Sequence, residues 1–401
     1  MSASTVDMRT ALIPITALAT TLPALAAAQL SDTYHLSEDL SYTNFFPAFT
    51  FFSGPDPTQG FVQYQNAASA IRKNLIGYLT DTQSVLLGVD HTSQDPAGRA
   101  SVRLESRKGW NAGLLVADIR HMPASTCGVW PAYWLVGSDA ALDGNITWPD
   151  AGEIDILEGV NEDATNSVTL HTSRGCVVDN ATSAGVGAGS DSMAMPFSGH
   201  LKTADCDVAA PHQAQNAGCS IAAPALAAPL HTRSLATALP SYGTSFNAAG
   251  GGIYALQLTP ESISVWLLPR SSPQYAALFP TPASSSSSTL LNTSLSVSAL
   301  GVPIARFAGP ACDVARKFRN LKIVFDTSFC GSWAGGEWGA GGCARKTGVA
   351  TCEAYVRDHP EAFVDAYWEI AGLKWFQKED ENKSAQEKVL PLVKGQGWFG
   401  W

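Results

Sequence analysis

Residues Gly152-Glu153-Ile154-Asp155-Ile156-Leu157-Glu158-Gly159 set three carboxylates within six positions of an otherwise apolar run. The run reads as a buried β-strand, because Ile154, Ile156 and Leu157 are apolar and largely β-branched. Strand side chains alternate, so Glu153 and Asp155 share one face, with Ile154 and Ile156 opposite. Strict alternation puts Glu158 on the wrong face, and one β-bulge near Ile156-Leu157 brings it back. At about 3.3 Å per residue, the Cα atoms of Glu153 and Glu158 are then roughly 13 Å apart, and leaning side chains close the carboxyl gap to about 5–6 Å. A gap of about 5–5.5 Å suits double displacement at an acetal carbon, with one carboxylate as nucleophile and the other as acid, then base. Asp155, between them, can hydrogen-bond Glu153 and help to set the two pKa values apart. Three like charges on a buried strand without such a use would be costly.

The elements that must hold this strand are read from the rest of the chain. Short apolar segments bounded by Gly, Pro, Asn, Asp or Ser recur at Ser101–Glu105, Gly113–Ile119, Tyr133–Val136, Val168–His171, Ile253–Leu258, Ile263–Leu268 and Leu321–Phe325. Helical periodicity is scarce, with short helices expected at 66–75 and 360–368. Many short strands with turns between them predict an all-β fold, a sandwich or jelly roll. Two stretches read as exposed loop inserts: 222–237, rich in Ala and Pro, and 280–298, with its Ser run. Residues 378–401 read as a flexible tail.

The 401 residues are 45% hydrophobic and 15% charged, which supplies a large core. The net charge of −10 disfavours nucleic acid and anionic membranes as partners and tolerates a neutral polymer. Arg9, the apolar run Ala11 to Leu25 and the small residues Ala26-Ala27-Ala28 read as a signal peptide over 1–28, with a secreted product from Gln29. No later segment is apolar for the length of a membrane span. The eight cysteines all fall in the mature part, which points to disulfides of undetermined pairing, and no CxxC spacing marks a zinc site. Sequons stand at Asn145, Asn180, Asn292 and Asn382.

The acidic run resembles the active-site strand of glycoside hydrolase family 16 in its bulged form, and the chain is most similar to the fungal endo-1,3(4)-β-glucanase (laminarinase) type. The likeness extends through Phe52-Ser53-Gly54-Pro55-Asp56-Pro57-Thr58, Ser101-Val102-Arg103-Leu104-Glu105-Ser106, His121-Met122-Pro123, Trp130-Pro131-Ala132-Tyr133-Trp134 and Thr169-Leu170-His171-Thr172. It continues through Phe246-Asn247, Gly250-Gly251-Gly252, Cys330-Gly331-Ser332-Trp333-Ala334-Gly335 and Ala366-Tyr367-Trp368, and covers roughly 32–377. The resemblance implies a curved β-jelly-roll sandwich over 29–377 with an open concave cleft. It also implies retention of configuration, no cofactor, no metal in catalysis, and a secreted monomer acting on β-glucan. In the matching motif Glu153 resembles the nucleophile, Asp155 the assisting carboxylate, Glu158 the acid/base and His171 the histidine beside them.

Glucan rings stack on indoles. Trp148, five residues before Glu153, is the first candidate platform, followed by Trp130, Trp134, Trp333 and Trp338, the last two in a Gly-rich loop. Trp110 and Trp266 read as core. Leu258 stands where the family often has Trp, and Leu267-Leu268 replaces a commoner Phe pair, so substrate preference is less constrained than reaction type. Three rivals use the same residues. A glucan transglycosylase needs only a sugar hydroxyl in place of water. A non-catalytic glucan-binding protein predicts loss of an acid, and all three are present. A calcium site fits three acids on an apolar strand poorly.

Overall fold

A computed structural model describes residues 32–137, 147–179, 197–224, 239–278 and 293–378. The expected signal peptide 1–28, the four sequon asparagines, most of both expected inserts and nearly all of the expected tail lie outside them. Two large antiparallel sheets face each other across a single main core. Every segment expected to be a strand takes part in strand structure, though Val102 breaks the first into Arg99–Ser101 and Arg103–Ser106.

The two sheets differ in what their outer faces carry. In the nine-stranded sheet, Gly113–His121 is central, flanked by Trp368–Gln377 and Gly252–Leu258. Its alternation is apolar on both sides: Leu115, Ala117 and Ile119 enter the main core, while Leu114 and Val116 enter a second core on the outer face. A helix at Pro273–Leu278 and the segment Ser294–Leu300 contribute Tyr275, Leu295, Val297 and Leu300 to that second core. The end of the expected insert 280–298 is therefore not exposed loop. Ser294–Ser296 adds an edge strand, and Leu295 and Val297 are buried, because the apolar outer face needs a cover. The helix expected at 360–368 is also shorter: a 3-10 turn spans Pro360–Phe363, and Trp368 already begins a strand.

The eight-stranded sheet runs, in order, His200–Thr203, Cys219–Ala222, Ser167–His171, Glu153–Glu158, Val129–Gly137, Leu321–Phe329, Arg103–Ser106 and Phe49–Phe52. Its inner residues, among them Leu170, Ile154, Leu135, Ile323, Phe325 and Leu104, are fully buried in the main core. Trp368, from the opposite sheet, donates its Nε1–H to the backbone carbonyl of Asp326 at 3.1 Å and ties the layers together. The outer face carries polar and aromatic side chains instead.

The acidic strand has its bulge where alternation requires one. Glu153, Ile154 and Asp155 pair with Val136, Leu135 and Trp134; the register then shifts at Ile156, and Leu157 and Glu158 pair with Tyr133 and Ala132. Glu153, Asp155 and Glu158 thus all oppose even-numbered residues of the neighbouring strand and share its outer face. On the other side, pairing with Ser167–His171 stops at Asp155. Asn166, the residue just before that strand, continues the ladder with its side chain. Its Nδ2 donates to the carbonyl of Ile156 at 2.7 Å, and its Oδ1 accepts from the backbone N–H of Glu158 at 2.9 Å. Asn166 is itself fully buried, and its backbone N–H is held by the Ser241 hydroxyl at 3.0 Å.

Four disulfides join Cys127–Cys343, Cys176–Cys312, Cys206–Cys219 and Cys330–Cys352. The first and last meet in a small satellite core with Val129, Phe329, Val356 and Phe363 at one end of the eight-stranded sheet. Replacing Asn166 by Ala strands a buried carbonyl and a buried N–H together. Asn166→Ala is expected to lose about 2–4 kcal/mol of stability in denaturant unfolding and to mis-set Glu158, whereas Ser241→Ala, one bond further out, is expected to lose about 1 kcal/mol.

Candidate active site

The outer face of the eight-stranded sheet can be read across its register. His171 lies opposite Glu153, and Thr169 opposite Asp155. Beyond the acids come Val136, Trp134, Ala132 and Trp130, and these oppose Lys322, Val324, Asp326 and Ser328 on the next strand. Arg103 pairs with Asp326, and Phe52 with Arg103. The face therefore gathers the carboxylates of Glu153, Asp155, Glu158 and Asp326, the Arg103–Glu105 ion pair, the His171 imidazole and a row of aromatic rings.

Asp155 and His171 are buried, and the Asp155 Oδ2 lies 3.2 Å from the His171 Nε2. One carboxylate oxygen each of Glu153 and Asp155 and one ring nitrogen of His171 all lie within 4.8 Å of one another. The two outer acids are half-buried, and each accepts from an indole: Trp148 donates Nε1–H to the Glu153 Oε2 at 2.9 Å, and Trp130 to the Glu158 Oε1 at 2.8 Å. Loss of water raises all three carboxyl pKa values. Glu153 is pushed up to about 7, by burial first and then by Asp155, and the Trp148 hydrogen bond and His171 pull the other way. Burial and the Asp155 charge raise Glu158 well above the carboxylate range, against the Trp130 bond. Burial, then Asp326, raises Asp155. This environment can hold one carboxyl ionised while its neighbour keeps a proton, which a nucleophile and general acid require.

The expected indoles divide into three situations. Trp148 is 50% exposed and inclined over His171 with ring centroids 6.4 Å apart, so it offers a face to solvent at the Glu153 end. Trp130 and Trp333 meet edge to face at 5.7 Å, both half-buried, at the Glu158 end. Trp134 is half-buried, with the Arg103 guanidinium 4.9 Å from its ring centre and its Nε1–H donated to the Asp326 Oδ1 at 2.8 Å. Trp338 departs from the expected cleft position. It is 4% exposed, donates to the Val349 carbonyl at 3.0 Å and packs against Tyr355 in the disulfide core. The Gly-rich sequence there turns back around Cys330 and Cys343 and needs a large side chain to fill its interior. Trp110 and Trp266 are buried, as expected.

Two site residues escape sequence reasoning. Asn166 is eight positions from Glu158 and carries no motif. Asp326, 7% exposed, accepts from Trp134 and from the Tyr64 hydroxyl, each at 2.8 Å. Strand alternation in Leu321–Phe329 is the only available signal for Asp326, since it is a lone acid in an apolar run.

Comparison with known proteins agrees with this geometry. The family model described as the XgeA-like, catalytic GH16 domain matches residues 49–376. An endo-1,3(4)-beta-glucanase of Arthroderma benhamiae is 38% identical over 358 residues, covering 88% of this chain and 67% of that protein. The endo-1,3(4)-beta-glucanase xgeA of Emericella nidulans is 34% identical, covering 90% of this chain and 50% of that protein, so the chain spans about half to two thirds of such relatives. GH16 Laminarinase 16A from Phanerochaete chrysosporium, solved with beta-glucans in both donor and acceptor sites, superposes with a TM-score of 0.68 at 34% identity, covering 86% of this chain and all of that one. An elongating GH family 16 beta-1,3-glucosyltransferase superposes at 0.67 with 37% identity, covering 86% of this chain and 99% of that one.

A stability consequence follows from the raised pKa of Glu153. Between its ordinary value of 4.5 and its folded value of about 7, the folded protein keeps a proton that the unfolded chain has released. Stability therefore falls as pH rises through that window. Glu153→Gln removes the penalty and can still accept from Trp148. With allowance for partial exposure, the variant is expected to be about 1–2 kcal/mol more stable than the parent at pH 8 and unchanged at pH 4, read by thermal unfolding.

Proposed function

Because this chain belongs to glycoside hydrolase family 16 and has its jelly-roll sandwich fold, we propose that it is a retaining endo-glucanase of β-1,3- or mixed β-1,3/1,4-glucans. The observation that carries the reading is the bulged strand, which turns Glu153, Asp155 and Glu158 to one face with an indole bonded to each outer acid. In this mechanism Glu158 gives its proton to the leaving glycosidic oxygen while Glu153 attacks the anomeric carbon. The C–O bond breaks and a glycosyl ester forms on Glu153. Glu158, now a carboxylate, takes a proton from water, whose oxygen displaces Glu153 and restores the original configuration. Asp155 and His171 hold the charge distribution between the two. Exposed Trp148 and the Trp130–Trp333 pair supply ring faces at the two ends of the acid row, and Trp134 extends the floor.

The chain is read as a secreted monomer, with 1–28 removed, a catalytic domain over 29–377 and a tail at 378–401. The four disulfides support an oxidising compartment. No helix among the described residues is long and apolar enough to cross a membrane. A second reading, transfer of the glycosyl group to a sugar hydroxyl, is favoured by the likeness to the elongating glucosyltransferase and uses the same acids.

Incubation with laminarin and lichenan tests both readings. Short oligosaccharides of retained β-configuration are expected from the parent, with a loss of roughly 10³-fold or more in Glu153→Gln. Products longer than an oligosaccharide donor would establish transfer, and full activity in Glu153→Gln would refute the assignment. With Glu153 as nucleophile and Glu158 as acid, kcat/KM is expected to rise with pH until Glu153 ionises near 7 and to fall once Glu158 loses its proton. Trp130→Phe removes a bond that favours the Glu158 carboxylate, so the alkaline limb is expected to move to higher pH.

A further inference from the structure

A further carboxylate of the site face, Asp326, belongs to none of the roles above. It sits two strands from the acidic run, about 10 Å away by strand spacing. Register sets Glu158, Ala132 and Asp326 in one line across three strands. Ala132 is the smallest side chain on that stretch of the face, and the Trp134 and Trp130 indoles on either side of it reach to Asp326 and Glu158 respectively. Asp326 is nonetheless fully committed. Its Oδ1 accepts from Trp134, and its Oδ2 accepts from Tyr64, which comes from a separate short strand, Val62–Tyr64. Arg103 faces it from the next strand, clamped between the Phe52 and Trp134 rings at 4.7 and 4.9 Å and salt-bridged to Glu105 at 2.9 Å. Asp56, in the segment that leads to the Val62–Tyr64 strand, accepts from the Ser328 hydroxyl at 2.7 Å. The charged and titratable groups around Asp326 are thus Tyr64, Arg103, Glu105 and Asp56 on one side and Asp155 and Glu158 on the other.

We propose that Asp326 is a positioning residue of the acid cluster: it clamps the Trp134 indole beside Asp155, and its negative charge acts on Asp155 from across the neighbouring strand. Asp155 supports this, since after burial Asp326 is the cause that raises its pKa. Asp326 is itself pushed up to about 6 by burial, with Arg103, Trp134 and Tyr64 pulling down. It therefore becomes charged in the same range in which Glu153 does. Asp155 and Asp326 therefore titrate together, and removing the Asp326 charge lets Asp155 ionise at lower pH. The inference rests on the glucanase reading only where activity is the readout.

Asp326→Asn is the discriminating variant. Its Oδ1 can still accept from Trp134, and its Nδ2 can donate to the Tyr64 oxygen, so the geometry survives while the charge goes. The limbs of the kcat/KM profile on laminarin, set by two acids that each feel the Asp155 charge, are expected to move by roughly half a unit. Carboxyl-carbon NMR titration is expected to show Asp155 ionising at lower pH, with or without activity. Tyr64→Phe removes a donor that favours ionised Asp326, and a smaller shift of the same sign is expected. A folded, active Asp326→Asn with unmoved limbs and an unmoved Asp155 titration would overturn the proposal, because a merely structural aspartate would change stability alone. If Asp326→Asn does not fold, Tyr64→Phe decides by the same two readouts. A parent enzyme inactive on glucans whose Asp155 still shifts would refute the function and leave the coupling standing.

Discussion

One irregularity in one strand governs this site. Without the extra residue at Ile156, Glu158 would turn towards Leu135, Phe325 and the rest of the main core, and Glu153 and Glu158 could not act on one bond. A bulge disrupts a ladder, and a buried ladder cannot leave groups unpaired. Asn166 resolves that conflict by giving one amide donor and one amide acceptor to the two backbone groups beyond the end of the regular pairing. The fold thus keeps its hydrogen bonds and still re-aims the one side chain that must change face.

The acids are held against their own electrostatic preference. Glu153, Asp155, Glu158 and Asp326 all prefer the proton more than they would in water, for the same first reason, loss of solvent. The Arg103 guanidinium lies at the Asp326 end, and the His171 ring lies 3.2 Å from Asp155. Indole N–H groups do the rest, each donating to a different carboxylate. An indole lowers a carboxyl pKa modestly, carries no charge of its own and keeps an apolar ring available to a sugar face. The same tryptophans therefore tune the acids and pave the surface beside them. Strain of this kind is tolerable where the remainder of the domain is strongly tied, here by two packed sheets, two further cores and four disulfides.

The two sheets also explain why the site lies where it does. The outer face of the nine-stranded sheet alternates apolar residues and is sealed by Pro273–Leu278 and Ser294–Leu300. Among the described residues, the eight-stranded sheet is the one that leaves a polar and aromatic outer surface.

The sequence alone determined the chemistry and its local frame. Three acids at fixed spacing, alternation on both sides of them and the need for one bulge are period-two arguments, and period two is a property of a single strand. The strands were legible for the same reason, as were buried Trp110 and Trp266. Whatever depends on how distant segments meet was decided by tertiary structure. Trp338 went to a disulfide core because Cys127, Cys330, Cys343 and Cys352 pair there, and cysteine spacing does not reveal pairing. Leu295 and Val297 were buried because a remote apolar face required cover. Asn166 and Asp326 entered the site through cross-strand register, which links residues far apart in the chain. A sequence states which side of its own strand a residue faces, but only the assembled sheet states what stands beside it.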